Sequence, residues 1–404
     1  MTSPVYRSLP DRILYFDYSG IYLPESSDSA AAVPSTDPGA RYSKFALYED
    51  GELTEYQKYE DNGPEQGDIY LGRCGDCIKS SGSVFVVLKN ASGGTIRGYL
   101  RSTKYRPGDK LLVQVVNQAE GNKYCRLSDK PSFSGRYSVI ILCGGPGSVR
   151  VSSKITDEAE RERLKSIGTD LIRGETDLGL ILRTNAATAS AAEITADYTE
   201  LSERIKRICS YFKKASDGIS PELIYRMPFY ERKLLEYPES SISKVFVNSP
   251  VIADLMRKRF KDPHFSIELY QNGSIFENRI DRDMASISGK TVHLKSGGNI
   301  VVERTEALTV IDVNSAKDIF GDSKRELVYR INCEAAAEIA RQLRLRSIKG
   351  IIICDMINMD DTADEQRLTA FMDQLIKNDP AGVQILGFTR SKLLEIVRSR
   401  AVFA

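Results

Sequence analysis

Apolar and polar positions change rhythm several times along this chain, and each rhythm predicts a different kind of element. Residues 11–23 and 43–57 read as strands, the second broken by a turn at Glu49-Asp50-Gly51. Between them runs PESSDSAAAVPSTDPGAR, rich in Ser, Pro and Ala. It has too little apolar surface to order itself and predicts a mobile insertion. Residues 67–129 carry the short segments DIYLGRC, SVFVVLK, GTIRGYL, KLLVQVV and KYCRLS, broken by Gly, Ser and Asn. About five short strands in that length fit a small barrel of the OB type.

Residues 130–230 mix periods. RYSVIILCG and LGLILRT read as buried strands, and 156–172 and 190–215 as helices. From 231 to 285, strands KVFVN and FSIELYQ flank a helix near 250–260 with a basic end, RKRFK. Such a charge cluster is usually a solvated face. The last segment is the most patterned. ALTVIDVN reads as a strand ending in polar residues. Ser323 and Glu326 have capping-box spacing. Leu327, Ile331, Ala335, Ile339 and Leu343 then recur every four residues, one apolar stripe of a long helix. KGIIICDMIN predicts a strand buried on both faces and ending in an aspartate. A helix over about 362–378, a strand VQILGF and a helix LLEIVRS complete the pattern. No internal repeat is visible.

Composition narrows the chemistry. The 404 residues are 41% hydrophobic and 27% charged, as in ordinary globular proteins. Lys and Arg number 56 against 55 Asp and Glu, so any affinity for nucleic acid must come from local charge. The N-terminus MTSPVYRSLPDRILYFDYSG has no uninterrupted apolar core, and no run approaches the roughly 20 apolar residues of a membrane span. Neither a secretory signal nor a membrane partner is expected. The seven cysteines are scattered and odd in number, which suits reduced thiols in a cytoplasmic setting. With only His264 and His293, acid–base or metal chemistry falls to carboxylates.

Two carboxylates stand out. Asp312 and Asp355 lie toward the carboxyl ends of two strands joined by one helix, a βαβ unit with parallel strands. Ligands bind at that end of open α/β sheets. Asn314 shares the face of Asp312. Two bare carboxylates side by side repel, and a divalent cation removes that cost. Magnesium commonly takes one or two protein carboxylates and keeps several waters. It would activate water and neutralise charge building on a phosphate. On spacing alone, turn or N-cap roles fit the two aspartates equally well.

LTVIDVNSAKD, INCEAAAEIARQLRLRSIKGIIICDMINM and LLEIVRSR closely resemble the catalytic region of the ribonuclease E/G family, and LKSGGNIVVERTEAL resembles the segment leading into it. The likeness is strongest over 294–400 and weakest over 1–66. It implies an α+β, multidomain architecture. Residues 1–66 would supply the N-terminal strands of an RNase H-like subdomain with the mobile insertion. Residues 67–129 would be an inserted OB-fold (S1-like) RNA-binding barrel, 130–230 a 5′-sensor and 231–285 the rest of the RNase H-like subdomain. Residues 286–404 would be a DNase I-like α/β catalytic subdomain. By resemblance, Asp312 and Asp355 bind magnesium, with manganese as the alternative ion, and Asn314 supports them. Arg183 and Thr184, with backbone contacts from Gly135 and Val139, would bind a 5′-monophosphate. The competing reading of Arg183 is a surface ion pair. Phe85, Tyr99 and Lys123 would hold single-stranded RNA; the competing reading makes Phe85 a core residue.

The implied activity is magnesium-assisted endonucleolytic hydrolysis of single-stranded RNA in RNA processing or decay, favouring 5′-monophosphorylated substrates. Departures from the pattern keep rivals open. A second aspartate of the family, three residues after the metal ligand, is Asn358 here. The family's CPxC zinc link does not occur before Ala404, so any homo-oligomer is expected to form without it. Cys74 and Cys77 form a CxxC inside a barrel strand, two of the four ligands a structural zinc needs, and no zinc is expected there. The insertion also falls outside the family pattern. One rival is a catalytically impaired RNA-binding protein of the same fold; the other is a DNA nuclease.

Overall fold

The computed structural model describes residues 11–22, 39–60, 63–78, 80, 82–89, 94–118, 124–142, 147–215, 220–260, 263–270, 275–315, 324–377 and 379–398. The chain begins with β1 (Arg12–Tyr22), β2 (Gly39–Glu49) and β3 (Glu52–Glu60). The predicted turn is present: Asp50 (φ 51) and Gly51 (φ 84) take left-handed backbone and reverse β2 into β3. Residues 24–38 of the predicted insertion lie outside the described residues, and 39–41 already belong to β2.

Next come β4 (Ile69–Ile78), β5 (Ser83–Lys89), β6 (Thr95–Arg101), β7 (Lys110–Asn117) and β8 (Cys125–Ser128). They pair in the order β4-β5-β6-β8-β7, and β7 also pairs with β4, so the sheet closes into a five-stranded, OB-like barrel. Alternation drives the closure. Val84, Val86 and Leu88 are buried inside while Phe85 and Val87 between them face outward. At Gly98 a Cβ would sit 2.7 Å from Leu127 Cδ1 and 2.9 Å from Cys125 Sγ. The missing side chain lets β8 come close enough to pair Cys125 with Gly98.

Then follow β9 (Ser132–Ser134), β10 (Ser138–Leu142), β11 (Ser148–Val151), α1 (Glu158–Leu171), β12 (Leu178–Leu182) and α2 (Ala191–Lys214). The four strands order as β11-β12-β10-β9. A reciprocal Ser190–Glu193 capping box starts α2. After β13 (Glu222–Tyr225) and α3 (Phe229–Glu236), the chain returns to the first sheet through β14 (Ile242–Val247), α4 (Pro250–Arg259) and β15 (Ser266–Leu269), giving the order β15-β14-β1-β2-β3. A short helix, α5 (Asp281–Ile287), leads out of it.

The final sheet uses β16 (Thr291–His293), β17 (Asn299–Arg304), β18 (Leu308–Asn314), β19 (Gly350–Asp355), β20 (Val383–Phe388) and β21 (Leu393–Arg398), ordered β16-β17-β18-β19-β21-β20. Helix α6 (Lys324–Leu345) joins β18 to β19, and α7 (Thr362–Ile376) follows. Ser323, half of the expected capping box, lies outside the described residues. The stripe of α6 behaves as predicted. Ile331, Ala335, Ile339 and Leu343 pack with Leu368 and Met372 of α7 on Ile311, Val313, Ile352, Cys354, Leu394 and Ile396. Each large aliphatic side chain so buried contributes about 1.5–3 kcal/mol.

Two expectations fail here. LLEIVRS is not a helix but β21, paired antiparallel with both β19 and β20. Its buried positions alternate (Leu394, Ile396, Arg398), and Lys392 (φ 63) turns the chain just before it. A period of two in a strand wedged between neighbours overrides the helix-forming composition. The run GIIIC is also not buried on both faces. Helices cover one side only, so Ile352 and Cys354 are buried while Ile351 keeps 43% of its surface exposed.

The end of α6 also packs on the first sheet. Leu345 joins Ala46, Tyr48, Leu53 and Phe276, and Arg344 pairs with Glu49 at 2.6 Å. Among the described residues, no helix is long and apolar enough to cross a membrane.

Candidate functional site

The two aspartates meet at one end of the final sheet. β18 and β19 are adjacent and parallel, and their register makes Asp312 and Asp355 direct partners. Adjacent strands lie about 4.8 Å apart, so the two carboxylates stand side by side. Both are exposed, while their neighbours Ile311, Val313 and Cys354 point into the core. Asn314 Nδ2 donates to Asp312 Oδ2 at 2.9 Å, which fixes that carboxylate's rotamer. Among the described residues, no cation pairs with Asp312 or Asp355, although two anionic groups at this spacing repel.

What holds Asp355 in register lies behind it. Asn332 of α6 is fully buried and clamps the peptide of Ile357, donating from Nδ2 to the carbonyl at 2.8 Å and accepting the amide at 3.0 Å. Met356 and Met359 plug into the core, and Lys392 Nζ donates to the Met359 carbonyl at 2.9 Å. Asn358, the departure from the family pattern, is exposed on this clamped segment.

The chemistry of the donor set fits a hard divalent cation. Both are carboxylate oxygens, and no group of three or more His, Cys, Asp or Glu able to hold a metal occurs among the described residues. An ion here would take two protein carboxylates and complete its shell with water or substrate oxygens, which is magnesium's habit. Zinc would demand softer or more numerous ligands.

The barrel presents the opposite chemistry. Phe85 and Tyr99 are cross-strand partners on β5 and β6, both facing outward, with Tyr99 36% exposed. Phe85 is therefore no core residue. Its ring meets Tyr124 edge-on, centroids 5.1 Å apart, and Tyr124 is 50% exposed. Arg97 and Arg101 on β6 and Arg126 on β8 are exposed, and Arg126 pairs in register with Tyr99. Lys123 lies outside the described residues. Sequence reasoning missed Tyr124 and Arg126. Their signal was the alternation around buried Cys125, which puts both on the outer face.

Arg183 and Gly135 do come together, but not as a bare phosphate cradle. Arg183 Nη1 donates to the Gly135 carbonyl at 2.5 Å and Nη2 to the Leu235 carbonyl at 3.2 Å. Burial pulls its pKa below the usual arginine value, with Asp197 and Glu236 opposing. Among the described residues its side-chain hydrogen bonds go to those two backbone carbonyls, and no ion pair of Arg183 is found. Thr184 Oγ1 lies 2.9 Å from Ser152 Oγ, and Val139 pairs with Ile181 and Ser134. The amides of Arg136, Tyr137 and Ser138 already face an anion, since Asp197 accepts all three at 2.8–3.1 Å. A Cβ on residue 135 would strike that carboxylate at 2.3 Å, which explains glycine there.

A mixed α+β chain with an OB-like barrel and an acidic sheet end is thus defined on structural grounds. Comparison with known proteins names the class: residues 132–401 match the ribonuclease E/G family, and the chain belongs to it. It is 32% identical to ribonuclease E of Synechocystis sp. over 359 residues, which is 83% of this chain and 52% of that one. Escherichia coli ribonuclease E is 32% identical over 303 residues, 73% of this chain and 28% of its own. Escherichia coli ribonuclease G is 29% identical over 312 residues, covering 73% and 60%. The chain therefore spans about half the length of the Synechocystis relative.

Proposed function

We propose that this protein is an endoribonuclease that cleaves single-stranded RNA, with Asp312 and Asp355 holding a magnesium ion. One observation carries the reading: in a chain of the ribonuclease E/G family, two exposed aspartates from distant segments are direct register partners on adjacent parallel strands. When bound, magnesium supplies Lewis-acid activation of water and of the phosphodiester. The chain's residues do the rest. Asn314 holds Asp312 in one rotamer, and the Asn332 clamp holds the segment after Asp355, so neither carboxylate must reorganise to receive an ion. Phe85, Tyr99 and Tyr124 offer ring faces and edges to unpaired bases, which suits a strand of any sequence. The exposed arginines beside them attract the phosphates that the aspartates would repel, and Lys123 adjoins that face in sequence.

Products with 5′-phosphate and 3′-hydroxyl ends follow from this reading, and manganese is the alternative ion. A preference for 5′-monophosphorylated RNA is carried by Arg183 and Thr184. A phosphate there would take the place of the Gly135 and Ser152 contacts, because Asp197 keeps the neighbouring amides.

The test is a labelled RNA oligomer incubated with magnesium, with manganese and with chelator, beside matched DNA. Substrates bearing 5′-monophosphate or 5′-hydroxyl form a further arm. Metal-dependent internal cleavage of RNA alone is expected. The exposed amide of Asn358 favours a second reading, an RNA-binding protein without cleavage. Tight RNA binding with no cleavage in any metal would establish that one instead.

A further inference from the structure

The Cys74-Gly75-Asp76-Cys77 motif lies on β4, in the hairpin that carries Phe85. Cys74 pairs with Val86 and Cys77 with Val84, with a register shift between them. Three steps on β4 thus oppose two on β5, which is a β-bulge. In a regular strand, residues three apart point to opposite faces. The extra residue brings both cysteines back to one side. Cys74 Sγ lies 3.7 Å and Cys77 Sγ 4.0 Å from the same Gly75 carbonyl oxygen, so the two thiols converge on one backbone group. Cys77 Sγ is also 3.7 Å from the Tyr105 carbonyl.

The two thiols differ in access. Cys77 is exposed, whereas Cys74 is 3% exposed. Burial, together with the neighbouring Cys77, pushes the Cys74 thiol up to about 11. Exposure makes Cys77 the thiol that solvent reagents meet, and proximity places Cys74 to resolve the adduct, a step its raised pKa slows. The bulge also lies directly across from Phe85: a Cβ on residue 75 would sit 3.5 Å from the Phe85 carbonyl oxygen.

We propose that Cys74 and Cys77 form a dithiol–disulfide couple that, when oxidised by a low-molecular-weight disulfide, locks the β4 bulge behind Phe85. The Cys77 thiolate attacks one sulfur of the reagent, breaking its S–S bond and releasing one thiolate. Cys74 then loses its proton to solvent and attacks the Cys77 sulfur, releasing the second thiolate. Both cysteines are oxidised and one reagent disulfide is reduced to two thiols. Disulfides that form in a reducing compartment are typically transient and sensing. A closed link holds the two Cα atoms about 5.5–6 Å apart, so the bulge loses its freedom to adjust and Phe85 is held with it. The effect on RNA rests on the barrel's RNA-holding role proposed above; the couple itself does not.

The experiment exposes the full chain to glutathione buffers of increasing oxidised fraction, quenches by alkylation and maps peptides by mass. A Cys74–Cys77 link lacking two hydrogens is expected before Cys209 or Cys333 reacts. C77S should leave Cys74 reduced, and C74S should accumulate glutathione on Cys77. A mixed disulfide that persists on Cys77 in the unaltered protein, or no reaction at Cys77, overturns the couple. In parallel, affinity for a labelled single-stranded RNA is read in both states. A change of about five-fold or more, absent in C77S, supports the coupling to Phe85. A mapped disulfide with unchanged affinity overturns that coupling. Failure of both states to bind RNA overturns the RNA-holding reading and the coupling with it, while the mapped link would still establish the couple.

Discussion

The barrel's outer face and the end of the final sheet use the same backbone rule for opposite ends. Both place outward-facing side chains at alternate positions whose neighbours plug a core. On the barrel those groups are Phe85, Tyr99, Tyr124 and exposed arginines; on the sheet they are Asp312, Asn314 and Asp355. A near-neutral chain, with 56 basic and 55 acidic residues, thus segregates its charge. On the function proposed above, one surface would attract and stack RNA without acting on it, and the other would act on a phosphate only when a cation masks it. Binding and chemistry should therefore be separable by mutation.

The sharpest break in that comparison is Asp312→Asn. The change keeps shape and the Asn314 contact but halves the negative charge of the pair. Cleavage should fall about 100-fold or more, since the activation an ion supplies is worth several kcal/mol. RNA affinity measured in chelator should stay the same. A variant that still cleaves at near the parental rate would remove Asp312 from the reaction.

On the barrel, Tyr99→Ala should do the reverse. Stacking contributes about 1–3 kcal/mol per base, so affinity should weaken about 5- to 100-fold, with turnover at saturating RNA little changed. Equal losses in turnover and affinity would mean the two surfaces are not independent.

Much of this separation was legible in the sequence. Alternation exposed the barrel strands, and the apolar runs ending in Asp312 and Asp355 located the acidic end. The long-range partners were not legible. Arg226 binds Asp68 through two hydrogen bonds at 2.9 and 2.6 Å, across 158 positions, and the pair is buried. Lys233 sits buried between Glu55 and Glu236. Local pattern carries no trace of such pairs, because each partner alone reads as a surface charge. β21 was misread for a related reason: only its two flanking strands reveal its period. Asn332 did leave a sign, a polar residue beside the apolar stripe of α6 between Ile331 and Cys333.

Asn332→Leu turns that sign into a test of positioning. It leaves the Ile357 amide and carbonyl without their partner, a cost of about 1–3 kcal/mol for buried groups. The segment after Asp355 should loosen. Cleavage should drop about ten-fold and the magnesium needed for half-maximal rate should rise, while RNA affinity holds. A purely structural role would lower the melting temperature and leave the magnesium dependence in place.

The smallest effect concerns the joint between the first sheet and α6. Glu49 accepts from Arg344 at 2.6 Å and from Arg12 at 2.7 Å. Burial alone would raise its pKa, but the two guanidinium groups overcome that and hold it below the ordinary glutamate value. A carboxyl depressed in the folded state stabilises the fold above the unfolded value, and that contribution is lost as pH falls through the folded value. Unfolding free energy should therefore fall more steeply in the parent than in Glu49→Gln as pH drops below the ordinary glutamate range. The variant starts less stable at neutral pH and should show a flatter acid limb. Parallel acid limbs in denaturant titrations would show that Glu49 does not titrate against the fold, and that the α6 joint rests on Leu345 and its apolar neighbours instead.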